Sequence, residues 1–248
     1  MFTPELLSPA GSLKALRLAF AYGADAVYAG QPRYSLRVRN NEFDLATLEM
    51  GINEAHALGK KLYVVVNIAP HNSKLKSFIA DMAPVVALKP DALIVSDPGV
   101  VYLLKQHFPQ MPLHLSVQAN TVNWAAVKFW QAQGVERVIL SRELAVDEIG
   151  EIRREVPDME LEVFVHGALC MAYSGRCLLS GYINKRDPNQ GACTNSCRWP
   201  YQVHSAVEDE VGQFKPISTP ALLEEQGRPG ELMAIDEDLH GTYILNSK

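Results

Sequence analysis

Short apolar runs rich in β-branched residues alternate with segments of helical spacing along the first 167 residues of this 248-residue chain. Seven runs are strand candidates: residues 5–10, 24–30, 61–70, 91–97, 113–120, 137–142 and 161–167. The run at 62–66 is apolar almost throughout, which is typical of strands covered on both faces. An alternation of this kind predicts parallel βαβ units.

The helices between the strands have recognisable ends. In three of them a capping side chain comes before the apolar stripe, and a glycine suited to the left-handed conformation follows it. These pairs are Ser12 with Gly23, Asp44 with Gly59, and Asn123 with Gly134.

A closed TIM-like (β/α) barrel and an open doubly wound sheet both fit this alternation. We favour the barrel, because residues 8–12 lack the glycine spacing of a dinucleotide-binding loop. Seven strands are one fewer than usual, so either residues 241–245 supply the last strand or the barrel is incomplete at its C-terminal end. We expect the barrel to occupy residues 1–200. Residues 201–230 are acidic, rich in Pro and Gly and weakly periodic, so we expect a loop or excursion over 201–248.

No secretory signal is recognisable, and no stretch approaches the roughly 18 apolar residues of a membrane span. We therefore expect a cytoplasmic protein without a membrane partner, in which persistent disulfides are disfavoured. The sequence leaves the oligomeric state open.

All four cysteines lie within 28 residues, after the last predicted barrel strand: Cys170, Cys177, Cys193 and Cys197. Four thiolates select zinc or an iron–sulfur cluster. The long first gap and the position after a strand favour a cluster, while zinc and unligated thiols remain open. A further alternative is a nucleophilic Cys170 with His166 as its base.

Polar residues stand where the predicted strands end, which is where barrels carry their chemistry. They are Tyr28, Asn67, Asp97, Gln118, Asn120, Ser141, Arg142, Glu143 and His166. Arg33, Arg37 and Arg39 follow the second strand, and their guanidinium groups suit an anionic substrate as well as a solvated loop. The formal charge of −5 opposes general attraction to nucleic acid, so any RNA-binding surface must be local or lie outside this chain.

Several stretches resemble the collagenase-like peptidase family U32. They are ELLSPAG at 5–11, YAG at 28–30, EVFVHGALC at 162–170 and SGRC at 174–177. The stretches YSLRVRN at 34–40 and NKRDPNQG at 184–191 are similar to its branch of prephenate-dependent tRNA uridine hydroxylases. The resemblance runs over the whole chain and implies an N-terminal portion, which a last barrel strand and a C-terminal domain would follow.

The resemblance implies an enzyme that forms 5-hydroxyuridine at the wobble position in the tRNA anticodon loop, the first step towards 5-carboxymethoxyuridine. It implies prephenate as co-substrate and a [4Fe-4S] cluster on Cys170, Cys177, Cys193 and Cys197. With this function we assign Arg37, Arg39 and Arg142 to anion binding, and Tyr34 or Tyr173 to stacking on the base. His166, Tyr173, Asn67 and Gln118 are the candidate catalytic residues.

Two other functions remain open. A peptidase would use Cys170 with His166, since the chain has neither a Gly-x-Ser-x-Gly elbow nor a His-Glu-x-x-His helix. A non-catalytic scaffold would hold zinc on the four cysteines.

Overall fold

A computed structural model describes residues 3–31, 33–36, 41–167, 172–173, 177–208, 214–238 and 241–244. The chain divides into two compact units, Met1–Thr194 and Asn195–Lys248. No helix among the described residues is both long and apolar enough to cross a membrane.

Seven parallel strands form the sheet of the first unit, in the order β1-β2-β3-β4-β5-β6-β7. Their bounds are β1 Leu7–Pro9, β2 Ala26–Gly30, β3 Lys61–Val66, β4 Ala92–Val95, β5 Leu113–Leu115, β6 Arg137–Ile139 and β7 Glu160–Glu162. Each corresponds to one of the seven predicted runs, so the strand prediction is confirmed.

The helices of this unit are α1 Leu13–Ala21, α2 Leu45–Ala57, α3 Asn72–Ala87, α4 Pro98–His107, α5 Trp124–Ala132, α6 Val146–Glu155 and α7 Leu179–Asn184. The three predicted N-caps accept hydrogen bonds from backbone amides three residues on: Ser12, Asp44 and Asn123. The glycines after these helices have φ values of 98°, 64° and 80°: Gly23, Gly59 and Gly134.

Contacts between distant strands show that the sheet is curled. Neighbouring strands are about 4.8 Å apart, so β6 of a flat sheet would lie on the order of 24 Å from β1. Arg137 at the start of β6 nevertheless donates from Nη1 to Glu5 Oε1, just before β1, at 2.7 Å. Tyr63 of β3 donates to the same oxygen at 2.8 Å. The fold is therefore a TIM-like α/β barrel, incomplete because the described residues contribute seven strands and not eight.

Apolar side chains pack on both faces of this sheet. The larger cluster lies between strands and helices and includes Leu16, Ile52, Phe78 and Leu104. A smaller cluster on the other face joins Ala26, Tyr63, Ile94, Val117 and Ile139. Burial on both faces explains why the strands have nearly continuous apolar sequences.

The second unit contains an antiparallel sheet in the order β11-β10-β9-β8, with β8 Tyr201–Glu208, β9 Phe214–Glu225, β10 Leu232–Asp238 and β11 Gly241–Ile244. Our expectation of a loop or excursion over 201–248 was wrong for these described ranges, which form four strands. The proposed use of 241–245 as the eighth barrel strand also fails, since β11 pairs antiparallel with β10. The pairing register of β8 and β9 shifts between Ser205 and Ala206, and such an irregularity lets a strand accommodate a residue like Pro220.

Candidate active site at the carboxyl ends of the strands

Asn67, directly after β3, ties together the loops that follow three other strands. Its Oδ1 accepts from the amide of Leu36 at 3.0 Å, and its Nδ2 donates to Ser116 Oγ at 3.2 Å. Ser96 Oγ donates to the Asn67 carbonyl at 2.8 Å. Both ends of the Asn67 side-chain amide are thus engaged: the side chain links the loops after β2 and β5, and the Asn67 carbonyl holds the loop after β4.

Tyr34 is a packing residue in this structure. It is fully buried, its ring meets Phe78 of α3 edge-on at 5.1 Å, and its hydroxyl donates to Asp81 at 2.5 Å. Burial and the neighbouring Asp81 carboxylate raise the pKa of the hydroxyl. The assignment of Tyr34 as a base-stacking residue is therefore wrong for this conformation, because neither face of its ring reaches solvent.

The loop after β2 approaches β2 so closely that it requires glycine. A Cβ on Gly30 would lie 2.7 Å from Ser35 Oγ and 3.1 Å from Ser35 Cβ. The glycine lets the Gln31–Tyr34 turn fold back over the sheet, where Gln31 Oε1 accepts from the Tyr34 amide at 2.9 Å. Arg33 leaves this turn to pair with Asp81 at 2.7 Å.

The loops after β5 and β6 carry a second polar group. Asn120 has a left-handed conformation, with φ 52°, and its side-chain amide is buried without a hydrogen-bond partner in the described part of the chain. Ser141 donates from its amide to the Thr121 carbonyl at 3.3 Å and from Oγ to Glu143 at 2.5 Å. Gln118, a candidate catalytic residue, is half-buried in the loop after β5, and its backbone amide donates to Ser116 Oγ at 3.4 Å.

Arg142 lies beside the continuation of β7. Its guanidinium carbon is 4.8 Å from the centroid of the Phe164 ring, close enough for a cation–π interaction. Arg37 and Arg39, the other predicted anion ligands, lie outside the described residues. His166 and Tyr173 are exposed.

Three of the four cysteines are described, and all three are half-buried thiols: Cys177, Cys193 and Cys197. The fourth, Cys170, lies outside the described residues, so neither its part in a metal centre nor its pairing with His166 is visible. Within the described ranges, no three His, Cys, Asp or Glu side chains are grouped to hold a metal ion. By chemistry, four thiols are the donor set that an iron–sulfur cluster or zinc requires, so the donors fit the expected group.

The segment 184–191 packs onto the loop between β3 and α3. The Ala69 amide donates to the Asn189 carbonyl at 3.0 Å, and Gln190 Nε2 donates to the Ala69 carbonyl. Asn189 Nδ2 also donates to the Cys177 carbonyl at 3.1 Å. The segment is therefore held at the same end of the barrel as Asn67, a placement that the sequence analysis did not foresee.

Comparison with known proteins identifies relatives along the whole chain. The profile of peptidase family U32 matches residues 11–248. The chain is 68% identical to tRNA hydroxylation protein P of Escherichia coli (strain K12) over 267 aligned positions, covering 100% of this chain and 59% of that protein. It is 37% identical to the 23S rRNA 5-hydroxycytidine C2501 synthase of the same strain, covering 84% of this chain and 31% of that protein.

A solved structure of a U32 peptidase has the same fold, with a TM-score of 0.55 and 15% identity over 65% of this chain and 68% of that one. Among the relatives compared by sequence, the chain spans 59% of the length of the tRNA hydroxylation protein of Escherichia coli.

Proposed function

The chain belongs to peptidase family U32, and from this membership we propose that it is part of an enzyme that hydroxylates a uridine of tRNA. The observation that carries the proposal is the 68% identity, over all of this chain, to a protein named for tRNA hydroxylation. A second relative is named for 5-hydroxylation of an rRNA cytidine, which supports a pyrimidine ring as the target class.

The arrangement of the polar residues is consistent with a nucleobase site. Asn67 and Ser116 fix the loops at the carboxyl ends of the strands, where barrels bind their substrates. Tyr173 is an exposed aromatic residue in the cysteine-containing segment, and we assign it to stacking on the target base. A wobble uridine is unpaired in free tRNA, so its entry into a pocket costs little unpairing energy.

We further propose that prephenate supplies the oxygen of the new hydroxyl group: the uridine C5–H bond and a prephenate C–O bond break, the C5–O bond forms, and prephenate, reduced by two electrons, leaves without that oxygen and with the hydrogen. Prephenate is a dicarboxylate, and guanidinium groups bind carboxylates through paired donors. Arg142 is the described candidate, with Arg37 and Arg39 as the others. Phe164 beside Arg142 would orient the guanidinium and exclude water from one of its faces.

A [4Fe-4S] cluster on Cys170, Cys177, Cys193 and Cys197 would supply electron transfer to this reaction when it is bound. Of the other candidate residues, Asn67 orients the loops that form the site, and Gln118 lies in the loop that follows β5. We keep His166 as the candidate for moving a proton, because it is exposed at the end of β7.

The proposal is tested in cells that lack their own tRNA hydroxylation activity. Expression of the full protein that contains this chain should restore 5-hydroxyuridine derivatives in tRNA, measured by mass spectrometry of nucleosides, and Cys177→Ser should abolish the rescue. Purification without oxygen should yield iron and acid-labile sulfide. Failure of the unsubstituted protein to restore the modification would reject the function.

The same preparation separates the alternatives. Cleavage of gelatin that is lost on Cys170→Ser while iron is retained would favour a peptidase, since a cysteine nucleophile would then be separable from the metal. Zinc in place of iron and sulfide would favour the scaffold.

A further inference from the structure

A group of basic and aromatic side chains comes from the loop after β2, from α3, and from the stretch that runs from α7 to residue 191. We call it the basic–aromatic surface, and it consists of Arg33, Lys74, Lys76, Tyr182, Lys185 and Arg186. Arg33 pairs with Asp81, and Lys185 and Arg186 belong to the segment 184–191, but none of the six is assigned a part in the proposed reaction. All of them lie in the first compact unit.

Hydrogen bonds connect α3 and the loop before it to the segment 184–191, which contains two of these cations. Lys74 Nζ donates to the Gln190 carbonyl at 3.2 Å, which places α3 against the segment that begins at Lys185. The Ala69–Asn189 hydrogen bond lies beside it. Burial lowers the pKa of Lys74, and the positive charge of Arg33 lowers it further, so these two cations are close to one another.

Only part of the positive charge of this surface is compensated: Asp81 pairs with Arg33, and the negative charge of Asp187 acts on Lys74. Lys76, Lys185 and Arg186 are exposed, and none of the three takes part in an ion pair within the described ranges. The first turn of α3 contains no acidic residue, and His71 at its N-cap makes no side-chain hydrogen bond. Lysines near the positive end of a helix dipole raise the electrostatic energy unless an anion is bound there.

The sign of this charge is opposite to that of the whole chain. The formal net charge is −5, whereas the stretches 69–81 and 177–191 together with Arg33 contain five basic and two acidic residues. A local excess of this kind on an acidic protein is the pattern of a phosphate-binding surface.

An exposed aromatic ring stands next to the cations. Tyr182 is 63% exposed in the last turn of α7, and Lys185 is the C-cap residue at which this helix ends. Leu178, one turn earlier, is exposed as well. Surfaces that bind single-stranded nucleic acid combine basic side chains for the backbone with aromatic rings on which bases stack.

We propose that the basic–aromatic surface binds single-stranded RNA, with phosphates on Lys76, Lys185 and Arg186 and a base stacked on Tyr182. The proposal deepens the proposed function, on which it rests, because it assigns the part of this chain that holds the RNA flanking the modified uridine. It also explains why segment 184–191 is anchored at the active end of the barrel.

The test measures RNA affinity as a function of salt, with the full protein and an unmodified anticodon stem-loop transcript, by fluorescence anisotropy. The variant Lys185→Gln/Arg186→Gln should bind about tenfold more weakly near 0.1 M salt, and its log–log salt slope should be shallower by roughly 1 to 2, since about 0.7 counterion is released per single-strand phosphate. The matched control is Lys89→Gln/Arg154→Gln. Lys89 and Lys185 both have a left-handed backbone conformation, with φ 57° and 54°, and Arg154, like Arg186, is exposed.

A second pair of variants isolates stacking from charge. Tyr182→Leu should weaken binding about tenfold with an unchanged salt slope, as loss of one stacked base predicts. Tyr102→Leu is the control, since Tyr102 is 64% exposed on α4, against 63% for Tyr182. Both substitutions are on the surface, and equal thermal unfolding temperatures of all variants and the unsubstituted protein would exclude a folding defect.

The outcomes separate this proposal from the function. Equal losses in the site and control variants, or no loss in either, would overturn the RNA surface even if the protein restores 5-hydroxyuridine. Selective losses in a protein that forms no hydroxyuridine would support the surface and reject the hydroxylase. An unsubstituted protein that binds no RNA would overturn both.

Discussion

Arg137 sits at the amino end of the barrel among three carboxylates. Its side chain is only 10% exposed, and its guanidinium nitrogens lie 2.7 Å from Glu5, 2.7 Å from Glu160 and 3.5 Å from Glu162. Although burial opposes it, hydrogen bonds from Arg137, Lys61 and Tyr63 lower the pKa of Glu5 to about 2. This end of a barrel serves stability and not catalysis, so the charges act on folding.

The pKa of Glu162 shifts in the opposite direction to that of Glu5, although the same arginine lies beside both carboxylates. Burial raises the pKa of Glu162 to about 7, and Arg137 only partly offsets that effect. A carboxyl group whose pKa is raised in the folded state contributes to the free energy of unfolding below its unfolded pKa of about 4.5. This contribution is lost as pH rises through 7, where the buried group ionises. Burial also lowers the pKa of His114 to about 3, so that residue lowers stability as pH falls below about 6.5.

Glu162→Gln should therefore stabilise the protein at pH 8 by on the order of 2 kcal/mol and leave it unchanged near pH 4.5. The amide resembles the protonated acid and carries no charge to bury. Urea unfolding at several pH values measures the difference, and the variant should lose stability between pH 6.5 and 4.5, where His114 then acts unopposed. A constant difference across this range would contradict the assignment of the raised pKa to Glu162.

Tyr34→Phe should lower the free energy of unfolding by about 1.5 kcal/mol, because it removes a hydrogen bond to the Asp81 carboxylate. RNA affinity should not change, since the ring is buried. Tyr102→Phe, on the exposed face of α4, is the control and should alter neither quantity. Weaker RNA binding at unchanged stability would return Tyr34 to the stacking role.

The strands and loops of the barrel meet at Asn67, which links elements far apart in sequence. Leu36 and Ser116, its two side-chain partners, lie 31 and 49 residues away. The loops after β2 and β5 thus depend on one half-buried amide, and the geometry of the candidate site depends on those loops. A substitution there should act on stability and on activity together.

Asn67→Ala should cost about 2 kcal/mol, because it leaves the amide of Leu36 and the hydroxyl of Ser116 without their partner. The same variant should lose most of its hydroxylation activity in the cell-based assay. Asn72→Ala is the control: Asn72 is exposed in the first turn of α3 and should be close to neutral. Full activity in a destabilised Asn67 variant would limit the residue to a structural role.

Viewed as one sheet, the barrel has two edges among the described residues, at β1 and β7. The chain beyond β7 continues with three exposed apolar residues, Val163, Phe164 and Val165. An apolar strand edge is a template for pairing with another chain. Glu160 and Glu162 oppose such pairing along β7 itself, so the exposed apolar residues that follow the strand are the region where self-association of this chain is expected.

Val165→Lys should raise the protein concentration at which the chain self-associates, measured by light scattering, since a charge at a strand edge opposes pairing. Val146→Lys is matched in exposure, 83% against 82%, but lies on α6, away from the edge. It should have a smaller effect. Equal effects of both substitutions would show that surface charge, and not the edge, controls association.

The sequence by itself determined the order of elements in the barrel. Strand positions followed from continuous apolar runs, and helix ends at Ser12, Asp44 and Asn123 followed from capping, because both signals are local. The clustering of all four cysteines within 28 residues was also visible in the sequence, while their role as the ligands of one metal centre stays a prediction. Local patterns suffice wherever a residue's role depends on its near neighbours in the chain.

Only the tertiary structure decided which residues face one another. It buried Tyr34 against Phe78, joined Asn67 to Ser116, and docked segment 184–191 beside α3. It also paired β8, β9, β10 and β11 into a sheet that the polar composition did not predict. Antiparallel strands are stabilised by their partner strands, which sequence periodicity does not reveal. These outcomes depend on contacts between residues distant in sequence, and no local pattern encodes the partner.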